Sequence, residues 1–305
     1  MPIASLRGLV SVISIAIPGL RGIGAVPVLR QTLSRFLAHD MVTHARAVTF
    51  QVLFSFFPFV ILFMALLGYL EIASLFDYLR RQSEVFFLRQ TAPQMNAIID
   101  QLQQRRHGML SFGIVFALWA SSSAMRAMMN AMNVVYGVRE ERPLWKRYLL
   151  SVLATLAVGA ALAFAVTLLL VRPAAMAVLA EDLGLPHWWA GMWAWYLRWP
   201  AVLLLLTAVV TVIYWITPDV EQRFRFVTPG AVIAVLVWFG ASLGFDFYVR
   251  NIGSYDRLYG SVGTAVVLLL YFFLTSFILL FGAELNAAIE HLDPAGKNPG
   301  DRSVD

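Results

Sequence analysis

One arginine stands in a stretch otherwise fit for hydrocarbon. Arg126 lies within the apolar run 109–132, and Ser122, Arg126, Asn130 and Asn133 are spaced four, four and three apart. That spacing puts all four on one face of a helix. A charge in the bilayer core costs at least about 2.5–3.5 kcal/mol on insertion scales, so such a face normally meets protein or water rather than lipid. The chemistry on offer is recognition of an anion by a guanidinium with hydroxyl and amide neighbours. The bland alternative is an arginine that snorkels from a helix end and fixes topology only. Glu284, at the end of the last apolar run, is the expected partner of Arg126. Gln51 and Ser55 lie at matching depth in the first run, so the expected polar pocket comprises Arg126, Ser122, Asn130, Asn133, Gln51, Ser55 and Glu284.

Three other features bear on such a pocket. Pro58 sits midway along the first apolar run, where a missing backbone donor and a clash with the preceding turn predict a kink. Kinks that serve packing alone are at least as common. Gly240 and Gly244 form a G-x-x-x-G pair that permits close helix approach, expected here within one bundle rather than between copies. The stretch 248–263 carries Arg250, Asn251, Ser254, Tyr255, Arg257 and Tyr259 among glycines. It suits either a cavity-lining polar turn or an ordinary hairpin loop.

These residues must be held by apolar helices. Six stretches have the roughly 20 residues a span requires: about 47–70, 109–132, 149–171, 197–216, 227–249 and 261–283. The expected fold class is therefore an all-α membrane protein, a bundle of six transmembrane helices with amphipathic surface helices. Residues 1–46 are read as an N-terminal amphipathic, cytoplasmic segment, with one helix over 27–46 carrying Arg30, Arg35 and Arg46 toward its polar side. Residues 47–290 form the transmembrane domain, and 291–305 a disordered polar tail. Residues 71–107 suit two short surface helices. Five of nine Trp fall between Trp188 and Trp199, as in an interfacial aromatic belt. Arg139, Arg142, Lys146 and Arg147 crowd the loop after the second run, and the distribution of Lys and Arg favours an N-in, C-in orientation.

Composition supports the class. Of 305 residues, 60% are hydrophobic and only 13% charged, about half the charged fraction of a soluble domain. The net charge of +5 is explained by topology signals and anionic headgroups rather than by nucleic acid. There is no cysteine, so disulfides and thiolate chemistry are excluded. His39 and His44 are five apart, off metal-ligand spacing, and no nucleotide-binding motif occurs. No cofactor or metal is expected.

The series A-V-T-F-Q-V-L-F-S-F-F-P at 47–58, A-L-W-A-S-S-S-A-M-R-A-M-M-N-A-M-N-V-V-Y-G-V at 117–138 and E-E-R-P-L-W-K-R at 140–147 continues with Y-W-I-T-P-D-V at 214–220. It ends with Y-V-R-N-I-G-S-Y-D-R-L-Y-G-S-V-G at 248–263 and F-G-A-E-L-N-A at 281–287. In that order, over about residues 30–290, the chain resembles the YihY/virulence factor BrkB family, formerly labelled ribonuclease BN. The resemblance implies a six-helix protein of the bacterial inner membrane. Some members of the family are linked to serum resistance and others to lipid or lipopolysaccharide traffic, and the ribonuclease label is regarded as a misassignment.

Three functions are weighed. The first is a transporter or lipid-handling protein whose intramembrane cations take an anionic small molecule or a lipid headgroup. The second is a non-catalytic membrane scaffold that uses the polar residues to fix register. The third, a nuclease, lacks the carboxylate or histidine cluster that metal-assisted hydrolysis needs. The expected partners are membrane lipids, not nucleic acid, and the sequence names no protein partner.

Overall fold

The computed structural model describes residues 24–69, 110–170, 186, 188–221, 227–252, 261–292 and 302. All regular structure in them is helical. The helices are α1 (Ala25–Ala38), α2 (Met41–Tyr69), α3 (Leu110–Tyr136), α4 (Leu144–Leu170), α5 (Trp188–Met192), α6 (Arg198–Ile216), α7 (Pro229–Ile252) and α8 (Ser261–Leu292). A π-helical turn, Trp193–Leu197, joins α5 to α6. By length and composition, stretches of α4, α6, α7 and α8 can each cross a membrane. At about 1.5 Å rise per residue, α2 with 29 residues and α3 with 27 are of comparable length.

The expected single helix over 27–46 is broken. Asp40 takes φ +47°, a left-handed conformation that aspartate tolerates better than most side chains. The His39 amide donates back to the Arg35 carbonyl, and the Asp40 carbonyl accepts from the Thr43 and His44 amides, so one helix ends and the next begins within two residues. The break lets α1 fold onto the bundle. Val28 packs with Leu285 and Ile289 of α8, and the Phe36 ring lies 4.8 Å from Phe277 and 5.7 Å from Phe281. Val28, Thr32 and Phe36 are buried, while Val26, Leu29, Leu33 and Leu37 remain exposed on the opposite side.

The hub is α8, which packs against α1, α2, α3 and α7. Its closest approach is to α7 and uses glycine. A Cβ on Gly230 would lie 2.1 Å from the Gly282 carbonyl oxygen, and one on Gly282 would lie 2.6 Å from the Tyr214 hydroxyl. The Asn286 side chain accepts from the Gly230 amide (2.7 Å) and donates to Thr228 Oγ1 (3.0 Å), capping α7 at the start set by Pro229. Gly240 and Gly244 do not serve this purpose: among the described residues a Cβ on either meets nothing within 4 Å. The expectation that this pair packs within the bundle is overturned, because the close crossing occurs three turns earlier on α7. The α3 C-terminus closes with Gly137 at φ +66°, its amide donating to the Val134 carbonyl and the Val138 amide to Asn133, a left-handed cap that suits glycine.

Candidate functional site

Helix α3 forms the floor of a groove. It runs antiparallel to α2, to which Ser55 ties it by donating to the Ala120 carbonyl (3.0 Å) and meeting Ser123 Oγ (3.0 Å). It also runs antiparallel to α4, through Arg126 with Ser151 and Asn130 with Arg147. Both α2 and α4 pack on α3 but scarcely on each other, so a cleft remains between them. It has a volume of about 290 Å³ and is lined by Gln51 of α2, Ser123, Arg126 and Asn130 of α3, and Arg147 and Tyr148 of α4. A second hollow of about 380 Å³ shares Gln51, Ala127 and Asn130 and extends the cleft to His44 and Phe50.

The electrostatics of this cleft are one-sided. Arg126 Nη1 donates to Ser122 Oγ at 2.5 Å and Ser151 Oγ at 3.3 Å, and Nη2 reaches the Trp119 carbonyl at 3.5 Å. The guanidinium lies over the Tyr148 ring, 4.5 Å from its centroid, a cation–π contact. Among the described residues no carboxylate pairs with it. The expected partnership with Glu284 is therefore overturned. Glu284 is fully buried and takes Arg35 Nε at 3.2 Å and His39 Nδ1 at 2.5 Å, both from the α1 end of the chain. Arg35 also donates to the Val135 carbonyl at 2.7 Å. The fold of α1 onto α8 explains the exchange, because it brings a cation to Glu284 from the N-terminal side.

The four-residue stripe divides along its length. Ser122 is buried and supports Arg126, donating to the Trp119 carbonyl at 2.8 Å. Asn130 lines the cleft and accepts from Arg147 Nη2 at 2.5 Å. Asn133 is buried and turns to the loops instead, donating to Glu140 (3.0 Å) and accepting from the Asp219 amide (2.7 Å). Gln51 joins Arg126 in the cleft, whereas Ser55 serves the α2–α3 contact. Pro58 lies inside α2, which continues past it to Tyr69. Arg250 and Asn251 fall in the last turn of α7, with side chains outside the described part, and Ser254, Tyr255, Arg257 and Tyr259 lie outside the described residues altogether.

Two further groups escaped the sequence reading. Arg147 and Tyr148 line the cleft; Arg147 had counted only as a topology signal. The loop after α3 is a charge network: Arg142 Nε donates to Glu140 at 2.7 Å and its Nη groups donate to the Ile216 and Thr217 carbonyls at 3.2 and 2.8 Å. Asp219 accepts from the Glu141 amide at 2.9 Å. Arg302, in the segment expected to be a free tail, pairs with Glu141 and donates to the Arg139 carbonyl at 2.5 Å. Burial pushes the Glu140 carboxyl up. The bond and charge from Arg142, the Asn133 bond and the Arg147 charge outweigh it and hold the group below its ordinary value. Within the described residues no three His, Asp or Glu side chains gather as metal ligands.

Long apolar helices, a hub helix sealed by glycine and a cation cleft between helices define an α-helical membrane protein. The particular family follows from comparison: the profile of Virulence factor BrkB matches residues 32–304, and the chain belongs to that family. The "Putative ribonuclease-like protein YfkH" of Bacillus subtilis is 32% identical over 266 residues, which cover 86% of this chain and 94% of that one. A UPF0761 membrane protein of Chromohalobacter salexigens is 30% identical over 270 residues, covering 85% of this chain and 62% of its own length. A UPF0761 membrane protein of Paraburkholderia xenovorans is 26% identical, with 80% and 56% covered. The chain thus spans nearly all of YfkH and about six tenths of these UPF0761 proteins. No solved structure matches.

Proposed function

We propose that this protein is a non-catalytic, six-span protein of the bacterial inner membrane, oriented N-in and C-in, that binds and passes on an anionic ligand through the cleft beside Arg126. The observation that carries the reading is the charge of Arg126, which meets no carboxylate among the described residues: a guanidinium set in an apolar helix, held by hydroxyls and a π face, with a cleft beside it. Such a cation is costly unless an anion or water meets it. Arg147 supplies a second positive group to the same cleft. The orientation places the Arg-rich loop 138–147 and both ends of the chain on the cytoplasmic side, so the cleft sits near the inner leaflet.

The test is flux across vesicles. Full-length protein reconstituted in mixed phosphatidylglycerol and phosphatidylcholine vesicles is expected to move fluorescent anionic lipid or a small anion. Arg126→Gln is expected to abolish that movement with helix content and thermal unfolding unchanged. Equal activity in Arg126→Gln would contradict the reading.

A scaffold role is the second reading, and one observation favours it. Glu140, Arg142, Asp219 and Arg302 bind the loop after α3 to the end of α6, a charged surface suited to assembly. Loss of a protein complex in Arg302→Ala, with flux intact, would support it.

A further inference from the structure

We infer that the cleft takes a phosphate-bearing amphiphile from the inner leaflet, its phosphate between Arg126 and Arg147 and its apolar part along aromatic side chains of α2 and α3. This rests on the proposed reading of the cleft as a ligand site and adds the class of ligand.

The groove changes character along its length. Its inner half is polar, with Ser123, Arg126 and Asn130 on the floor and Gln51 on the wall. Farther along, the same face of α3 presents Trp119 and Phe116, 53% and 50% exposed, with rings 6.1 Å apart. Phe50, Phe54 and Phe57 of α2 are 63%, 55% and 63% exposed, and steps of four and three keep them on one side of the helix. Because α2 and α3 are antiparallel, both aromatic rows lead away from the cations in the same direction. A small hydrophilic anion would use the polar half alone. An amphiphile with one anionic head uses both.

The donors suit phosphate. A guanidinium offers five N–H groups. Nη1 of Arg126 carries both serine contacts, and Nη2 has one contact at 3.5 Å. Arg147 is held at the cleft wall by two contacts: its Nη2 donates to Asn130, and its Nε pairs with Glu140 at 3.8 Å. Two guanidinia on adjacent helices can share a group with several acceptor oxygens, which matches a phosphate better than a single carboxylate. The Tyr148 ring covers one face of Arg126, and the Nη2 contact with Trp119 is exposed.

The experiment loads purified full-length protein from micelles holding equal phosphatidylglycerol and phosphatidylcholine, and counts retained lipid by native mass spectrometry. Inorganic phosphate is the second probe, read by thermal shift. Wild type is expected to retain phosphatidylglycerol over phosphatidylcholine by about fivefold, the scale of one cation acting on one anionic lipid. The preference should vanish in Arg126→Gln, fall less far in Arg147→Gln, survive in the exposed control Arg30→Gln, and resist excess inorganic phosphate. Arg126→Lys keeps the charge and guards against misfolding as the cause. No lipid preference, with phosphate stabilising wild type but not Arg126→Gln, would overturn the amphiphile and leave the anion site standing. No lipid preference and no phosphate effect would overturn both.

Discussion

Arg35 and Arg126 both reach into the interior of this bundle and are treated oppositely. Arg35 meets a fully buried carboxylate, Glu284, joined by His39 and the Val135 carbonyl. Arg126 meets two serine hydroxyls, a carbonyl and a tyrosine ring, and a cleft lies beside it. A closed pair neutralises itself and serves the fold. Arg126, without a carboxylate partner among the described residues, is on the proposed reading left to attract charge from outside. On the proposed reading this difference, more than burial, separates a structural arginine from a ligand-binding one, since both side chains are only partly covered.

The largest effect should come from breaking the closed pair. Glu284→Ala leaves the part-buried Arg35 and His39 without their carboxylate, and removing one member of a buried pair costs up to about 3–5 kcal/mol. Unfolding in mild detergent should show a loss of that order, and near-wild-type stability would remove the contrast. Arg126→Leu should behave differently. Ser122 and Ser151 keep their own carbonyl acceptors, Trp119 and Tyr148, so no buried hydroxyl is orphaned and stability should change by less than about 1 kcal/mol. Retention of anionic lipid should fall severalfold in the same variant, and a large stability loss would mean that Arg126 is structural too.

Arg147→Gln should weaken retention less than Arg126→Leu, because Arg147 already shares its charge with Glu140 and its Nη2 with Asn130. Equal losses would mean that the two cations act as one unit. The smallest effect concerns acid. Glu140 has a lowered folded-state pKa, so its contribution is present above the ordinary carboxylate value and fades as pH falls through the depressed one. Amide exchange over residues 137–143, corrected for intrinsic rate, should therefore quicken between neutral pH and about pH 3. Unchanged protection would show that the loop is held by Arg142's carbonyl contacts alone.

The sequence showed the helical class and the placement of Arg126, because hydropathy and helical spacing are local properties. It misassigned Glu284, because depth along two spans said nothing of a helix folding back at Asp40. The run F-G-A-E-L-N-A at 281–287 is instructive. Gly282 permits the α7 crossing, Glu284 holds Arg35, and Asn286 caps α7. Each serves a contact with a residue far away in the chain, and no periodicity announces such partners. Arg147 and Tyr148 were missed for a similar reason: a basic loop beside a span reads as topology until the neighbouring helix is in place. Gly240 and Gly244 show the converse, a spacing that fits a packing motif on a face where no described helix approaches.

The central claim is that an external anion neutralises Arg126. A density map of the protein in nanodiscs containing phosphatidylglycerol, with an antibody fragment for alignment, tests it most directly. A lipid phosphate within hydrogen-bond distance of Arg126 and Arg147, its chains beside Phe54 and Trp119, is the predicted result. A cleft filled only with acyl chains, and the Arg126 side chain drawn away to the bilayer surface, would contradict it.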